Sequence, residues 1–150
     1  MPPSDASIEK YRRVEEYLDA GYGSCILRNP DAALAVENAL HFFDGERYRL
    51  FAWCVMPNHL HALVQPFEGT LLGEMIKSWK VNTTKVINKL CSRSGQLWFD
   101  DYYDRYIRDD NHFADAKHYI EMNPVVAGLC RAPEEWTFGS ARLRLDGSGT

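Results

Sequence analysis

The sequence predicts an α+β fold in which helices pack on a small antiparallel sheet. Three observations carry this. Residues 47–56 and 59–65 are adjacent apolar runs, rich in aromatic and branched side chains, split by the turn signal Pro57-Asn58. Residues 72–90 carry a long apolar stripe at helical spacing. The elements follow in the order helix, helix, strand, strand, helix, strand, helix, which suits helices layered on antiparallel strands.

Taken in order, Ser4 or Asp5 can cap a first helix running to about Ala20, on Ile8, Tyr11, Val14 and Leu18, with Gly21-Tyr22-Gly23 ending it. Asp31, after Pro30, opens a second helix carrying Leu34, Val36, Ala39, Leu40 and Phe43, stopped at Asp44-Gly45. In residues 47–56, Phe51, Trp53 and Val55 alternate against Leu50, Ala52 and Cys54, apolar on both faces, as in a central strand. His59 to Gln65 then returns antiparallel to it. Thr70 caps the long helix, whose stripe is Leu72, Met75, Ile76, Trp79, Thr83, Val86, Ile87 and Leu90, ending near Ser92. Tyr102 to Arg108 reads as a further strand. A last helix from about Asn111 stops at Asn123-Pro124, because a residue before proline is pushed out of the helical region. Residues 1–145 make one domain and 146–150 a flexible tail.

Composition narrows the function. A hydrophobic share of 45% with 25% charged residues is globular, and no run approaches the roughly 18 apolar residues of a membrane span. Met1-Pro2-Pro3-Ser4-Asp5 is not a signal peptide, which makes the expected location cytoplasmic, away from membranes. A net charge of −4 and a pI near 5.7 argue against a protein that coats nucleic acid non-specifically. Cys25, Cys54, Cys91 and Cys130 lack paired spacing, so they read as reduced thiols and small buried side chains rather than a zinc or disulfide framework.

Three groups of residues can carry chemistry. His59-Leu60-His61 lies on a strand, where alternation sends both imidazoles to one face and Leu60 and Ala62 to the other. Two imidazoles so placed can bind one metal ion, although two histidines at this spacing are more often incidental. In the last helix, His112, Asp115, Tyr119 and Asn123 share one stripe beside the apolar Phe113, Ala116 and Ile120. Tyr119 is a poor nucleophile unless a metal or base helps remove its proton, and its plainer role is a half-buried tyrosine. Finally, Lys77, Lys80, Lys85 and Lys89 on the long helix, with Arg105 and Arg108, can neutralise phosphates, and nearby aromatics can stack bases. Trp79 belongs to the apolar stripe and is better read as core.

These residues carry a family resemblance. Val55-Met56-Pro57-Asn58-His59-Leu60-His61-Ala62-Leu63-Val64 resembles the His-hydrophobe-His motif of the single-tyrosine HUH transposases, which include the REP-associated and IS200-like tyrosine transposases. Tyr119-Ile120-Glu121-Met122-Asn123-Pro124-Val125-Val126-Ala127-Gly128-Leu129 resembles that family's tyrosine helix. Ser78-Trp79-Lys80, the segment from Trp98 to Asp109 and Trp136 to Ala141 are also similar to family segments. The resemblance runs from about Tyr17 to Arg142, and two motifs in order are more specific than either alone.

It implies a ferredoxin-like (RRM-like) sheet and a DNA strand-transfer endonuclease acting on hairpins in single-stranded DNA, as a homodimer. His59, His61 and Asn123 would hold a divalent ion, Mg²⁺ or Mn²⁺. Tyr119 would attack the scissile phosphate and form a 5′-phosphotyrosine. Lys77, Lys80, Lys85, Arg105 and Arg108 would contact DNA. Family members usually begin with an extra central strand, and Met1 to Asp5 here leads straight into the predicted helix. The expectation is therefore a sheet lacking that strand, in a chain that is N-terminally short or completes its sheet by dimerisation, and the alternative is a hairpin-binding remnant without nuclease activity. A histidine-triad hydrolase is disfavoured because Leu63 stands where a third histidine would be. A hydrolase using His59 and His61 alone lacks a nearby acidic ligand in sequence, Glu68 lying past Pro66.

Overall fold

The structure, a computed structural model, describes residues 11–19 and 25–144. In order, the elements are strand β1 (Arg12–Tyr17), helix α1 (Pro30–Phe42), strands β2 (Tyr48–Val55) and β3 (His59–Pro66), helix α2 (Leu72–Leu90), strand β4 (Tyr103–Tyr106) and helix α3 (Asp110–Val126). Short 3₁₀ turns at Ile26–Arg28, Pro133–Glu135 and Ser140–Arg144 complete them. Among the described residues the four strands form one antiparallel sheet in the order β2-β3-β1-β4. The α+β class with an antiparallel sheet is as predicted.

The first helix and the missing strand are corrected. Residues 12–17 are extended, and β1 fills the central slot between β3 and β4. The helical spacing of Tyr11, Val14 and Leu18 was misleading because the strand period is hidden by charge. Val14, Glu16 and Leu18 face one side and are all buried, while Arg13, Glu15 and Tyr17 face the other. A glutamate on a buried strand face looks wrong until its partner is known. Here the partner is Lys80 on α2, whose Nζ lies 3.3 Å from Glu16 Oε2 and donates to the carbonyls of Phe99 (2.7 Å) and Asp100 (3.0 Å). The predicted caps at Ser4 or Asp5, the stop at Gly21 to Gly23 and the tail 146–150 lie outside the described residues.

Two cores flank the sheet. On one side α1 and α2 cover Val14, Leu60, Ala62 and Val64 with Leu40, Met75, Ile76, Trp79 and Ile87. On the other, α3 seats Ala116 and Ile120 against Ala52, Cys54 and Leu63. A β-bulge between Leu50 and Ala52 shifts the strand's faces: Leu50 packs with the α1–α2 core and Phe51 with the α3 core. The predicted grouping of Phe51 with Trp53 and Val55 is thereby reversed at that residue. Of the cysteines only Cys54 is buried, Cys25 being exposed and Cys91 and Cys130 half-buried.

Several boundaries move for local reasons. Asn29, not Asp31, caps α1 and accepts from the amides of Asp31 and Ala32. Leu71, not Thr70, occupies the N-cap of α2, with no side-chain cap bond. Helix α3 runs through Asn123-Pro124 to Val126, and then closes with Ala127 N donating to Asn123 O and Leu129 N to Pro124 O. Proline removes only the one bond that its own amide would have made, and this falls in the last turn. The C-terminal segment pins α3 to β2. Ser140 Oγ accepts from Trp53 N and donates to the buried Glu121, whose other oxygen takes Arg144 at 2.8 Å.

Burial raises the Glu16 carboxyl from 4.5 to about 7, against the pull of Lys80. The folded chain thus binds that proton more tightly than the unfolded chain, so this group's contribution to stability falls as pH rises from about 4.5 to 7. Denaturant titrations at pH 5 and pH 8 should show Glu16→Gln reducing the wild-type difference by on the order of 2–3 kcal/mol. Lys80→Met should destabilise more at pH 8 than at pH 5, since only the ionised Glu16 is left uncompensated.

Candidate active site

His59 and His61 open β3 directly after the Pro57-Asn58 turn, which Met56 N closes by donating to His59 O at 2.8 Å. Strand alternation puts Leu60 and Ala62 in the α1–α2 core and turns both imidazoles to the α3 side, as predicted from their spacing. The two Nε2 atoms converge to 2.9 Å. His59 Nδ1 lies 2.7 Å from Asn58 Oδ1, and His61 Nδ1 lies 3.0 Å from Glu15 Oε1. An oxygen acceptor stands beside each Nδ1, and a proton held there leaves the Nε2 of that ring with its lone pair free. Burial, with His61 adding to it, lowers His59 to about 4, so at neutral pH its imidazole is uncharged.

With both protons on Nδ1, the two Nε2 lone pairs face one point that suits a cation, and the spacing admits one ion about 2.1 Å from each nitrogen. Asn123, one turn beyond Tyr119 on α3, lies close enough to His59 for its side chain to favour the protonated imidazole. Its amide oxygen can supply a third ligand. Among the described residues no group of three or more His, Cys, Asp or Glu side chains is arranged to hold a metal. The donor set is two imidazoles and an amide, which fits a divalent ion of the Mg²⁺ or Mn²⁺ kind with room for other oxygen ligands.

Tyr119 comes to the same place from another element. Its ring meets the His61 ring edge-to-face, with centroids 5.7 Å apart, and its hydroxyl donates to Glu15 Oε1 at 3.5 Å. The residue remains 46% exposed at the rim of the site. Ala116 and Ile120 on the adjacent stripe hold the helix down, as predicted. His59, His61, Tyr119 and Asn123 are thus assembled from β3 and α3.

Sequence reasoning missed three residues of β1. Arg13 stacks its guanidinium over the Tyr119 ring, 4.7 Å from the centroid, and donates to the Tyr103 hydroxyl at 3.3 Å. Glu15 is buried beside His61, and contact with His61 lowers its carboxyl below the usual range despite burial. Tyr17 stacks on His59, with centroids 4.8 Å apart and planes 11° from parallel. The period-2 alternation of Arg13, Glu15 and Tyr17 was the available signal.

The basic residues separate into two groups. Arg105 pairs in register with Arg13 and therefore shares the site face, and Arg108 is exposed at the start of α3. Burial first, then Arg108, Arg105 and Arg13, lower His112, which places those three guanidinium charges around it. Lys77 and Lys85 are exposed on α2, in the layer across the sheet from the histidines. Lys80 is turned inward onto Glu16 and two carbonyls, so its charge is largely neutralised within the molecule.

Residues 29–123, from the start of α1 into α3, match the sequence model of the family described as Transposase IS200 like. A solved structure of a REP-associated tyrosine transposase bound to a REP hairpin is 17% identical, with a TM-score of 0.72 over 95% of this chain and 83% of that one. The crystal structure of a candidate transposase from Deinococcus radiodurans R1 is 18% identical, with a TM-score of 0.52 over 74% of this chain and 88% of that one. At these identities both show a shared fold. An uncharacterised protein of Haemophilus influenzae is 26% identical, over 60% of this chain and 61% of its own length, so this chain spans less than two-thirds of that relative. On the family match, which takes in the His-hydrophobe-His strand and the tyrosine helix through Asn123, this chain belongs to the IS200-like transposase family.

Proposed function

We propose that the chain is a metal-dependent, single-stranded DNA endonuclease and strand transferase that works at DNA hairpins through a tyrosine nucleophile. The observation that carries this reading is the convergence of three groups from two elements: the paired Nε2 atoms of His59 and His61 and the half-exposed Tyr119. The hairpin bound by the REP-associated relative supports the choice of DNA substrate. The binding-only remnant loses its ground, since it rested on an absent first strand and β1 occupies that position.

His59, His61 and Asn123 would hold Mg²⁺ or Mn²⁺, which when bound neutralises charge developing on the scissile phosphate. Tyr119 Oη attacks phosphorus. An O–P bond forms, the P–O3′ bond breaks, the phenol loses its proton and the departing 3′-oxygen gains one. The result is a 5′-phosphotyrosine and a free 3′-hydroxyl, and attack by a second 3′-hydroxyl reverses the step. Separate elements suit this exchange, because the strand keeps the phosphate site rigid while the helix presents the nucleophile. Arg13 and Arg105 on the site face and the exposed Arg108 beside them supply phosphate contacts, and Lys77 and Lys85 offer further positive charge on α2. Dimerisation belongs to the same reading and is checked by sedimentation.

Three outcomes test this. With end-labelled single-stranded hairpins drawn from palindromes flanking the gene, and Mn²⁺ present, a covalent protein–DNA adduct should form and map to Tyr119. Tyr119→Phe should abolish the adduct and retain hairpin binding; an adduct in that variant, or none in the wild type across those hairpins, contradicts the nucleophile. His59→Ala and His61→Ala should each weaken Mn²⁺ binding by more than about 100-fold in calorimetry. Arg105→Ala and Arg108→Ala should weaken hairpin binding across sequences and lower the salt slope by about one each.

A further inference from the structure

We propose that Glu15 is the positioning residue of this site: its single Oε1 atom sets the orientation and tautomer of His61 and at the same time holds the Tyr119 hydroxyl. The inference rests on the metal-site reading above but goes beyond it, to a residue outside both motifs and outside the matched segment 29–123.

The geometry is specific. Antiparallel pairing puts Glu15 directly opposite His61 on β3 and Tyr103 on β4, so the carboxylate rises from the middle of the sheet on the α3 side. Oε1 lies 3.0 Å from His61 Nδ1 and 3.5 Å from the Tyr119 hydroxyl. The residue is only 8% exposed and His61 only 1%, so water has little room to take over either contact. A buried carboxylate at Nδ1 keeps the proton on that nitrogen, and the Nε2 lone pair is left aimed at His59 Nε2, 2.9 Å away. Carboxylate–histidine pairs of this kind orient metal ligands and raise their basicity, and their loss typically weakens metal binding 10–100-fold. What distinguishes this arrangement is the second contact. The same oxygen reaches α3, so the histidine that would hold the ion and the tyrosine that would attack are tied to one atom of β1. Arg13, stacked on Tyr119, and Tyr17, stacked on His59, fix the rings on either side. Both act on neighbouring rings, and Glu15 is the group placed against His61 Nδ1.

The test reads the imidazole directly. In ¹⁵N-labelled, metal-free protein at neutral pH, long-range ¹H–¹⁵N correlation of His61 should show a protonated Nδ1 and a bare Nε2. This measurement needs no variant, and a proton on Nε2 in the wild type overturns the proposal. In Glu15→Leu the spectrum should change to a mixture of tautomers, with Mn²⁺ affinity falling 10–100-fold. Glu15→Gln, whose amide oxygen can still accept from Nδ1, should keep the wild-type tautomer and lose less affinity than Glu15→Leu. A merely structural role would lower the melting temperature and leave the tautomer unchanged. A folded Glu15→Leu with the wild-type tautomer and Mn²⁺ affinity within twofold of wild type therefore also overturns the proposal. Wild-type protein with the expected tautomer but no Mn²⁺ binding would count against the metal reading and leave the role of Glu15 standing.

Discussion

The pairing of β1 with β3 is the constraint on which the site depends. Six residues are in register, from Arg12 opposite Val64 to Tyr17 opposite His59. Side chains alternate along a strand, so this one register decides everything that β1 presents to either layer. Glu15 meets His61, Tyr17 meets His59 and Arg13 reaches Tyr119. A slip of one residue would send Glu15 among the α1–α2 apolar side chains and bring Glu16 to the histidines without Lys80. Burial of Val14 and the Glu16–Lys80 contact on the helical side oppose that slip. The chemistry on one face is thus held in place by packing on the other.

Buried charge recurs around the site with a common purpose. Lys80 links α2, β1 and the carbonyls at Phe99 and Asp100, just before β4. On the opposite layer, Glu121 joins α3 to Ser140 and Arg144, and Trp136 donates to Val55 O, so the helix carrying Tyr119 and Asn123 is fastened two residues from Tyr119. Neither pair is a large net source of stability, because desolvation offsets much of the Coulomb attraction. Each fixes one arrangement of helix on sheet, and the phosphoryl transfer proposed above would need its groups held to within a fraction of an ångström.

The parts of this molecule that are local in sequence were legible there. His59 and His61 on one strand face, Tyr119 and Asn123 one turn apart, and the α2 stripe with Trp79 in the core follow from periods of 2 and 3.6, although Val86 and Leu90 of that stripe are exposed. What escaped was non-local. The segment from Arg12 to Tyr17 has charges on both faces, and its strand character comes from lying between β3 and β4, with Lys80 and His61 as partners. The bulge at Leu50 to Ala52 left no period to read. Lys80 and Lys85 look alike in sequence, yet one is turned inward to a buried carboxylate and the other is exposed. Arg13 could enter the site only once β1 was a strand.

The central claim is that β1 and β3 together hold an ion-binding pair of imidazoles facing the helix that carries the nucleophile. Crystals grown with Mn²⁺ and measured at the manganese absorption edge test it most directly. The account predicts one anomalous peak bounded by Nε2 of His59, Nε2 of His61 and the Asn123 side-chain oxygen, with the Tyr119 hydroxyl on the open side. An ordered site with no anomalous density between the two imidazoles, or manganese held by other residues, would contradict it.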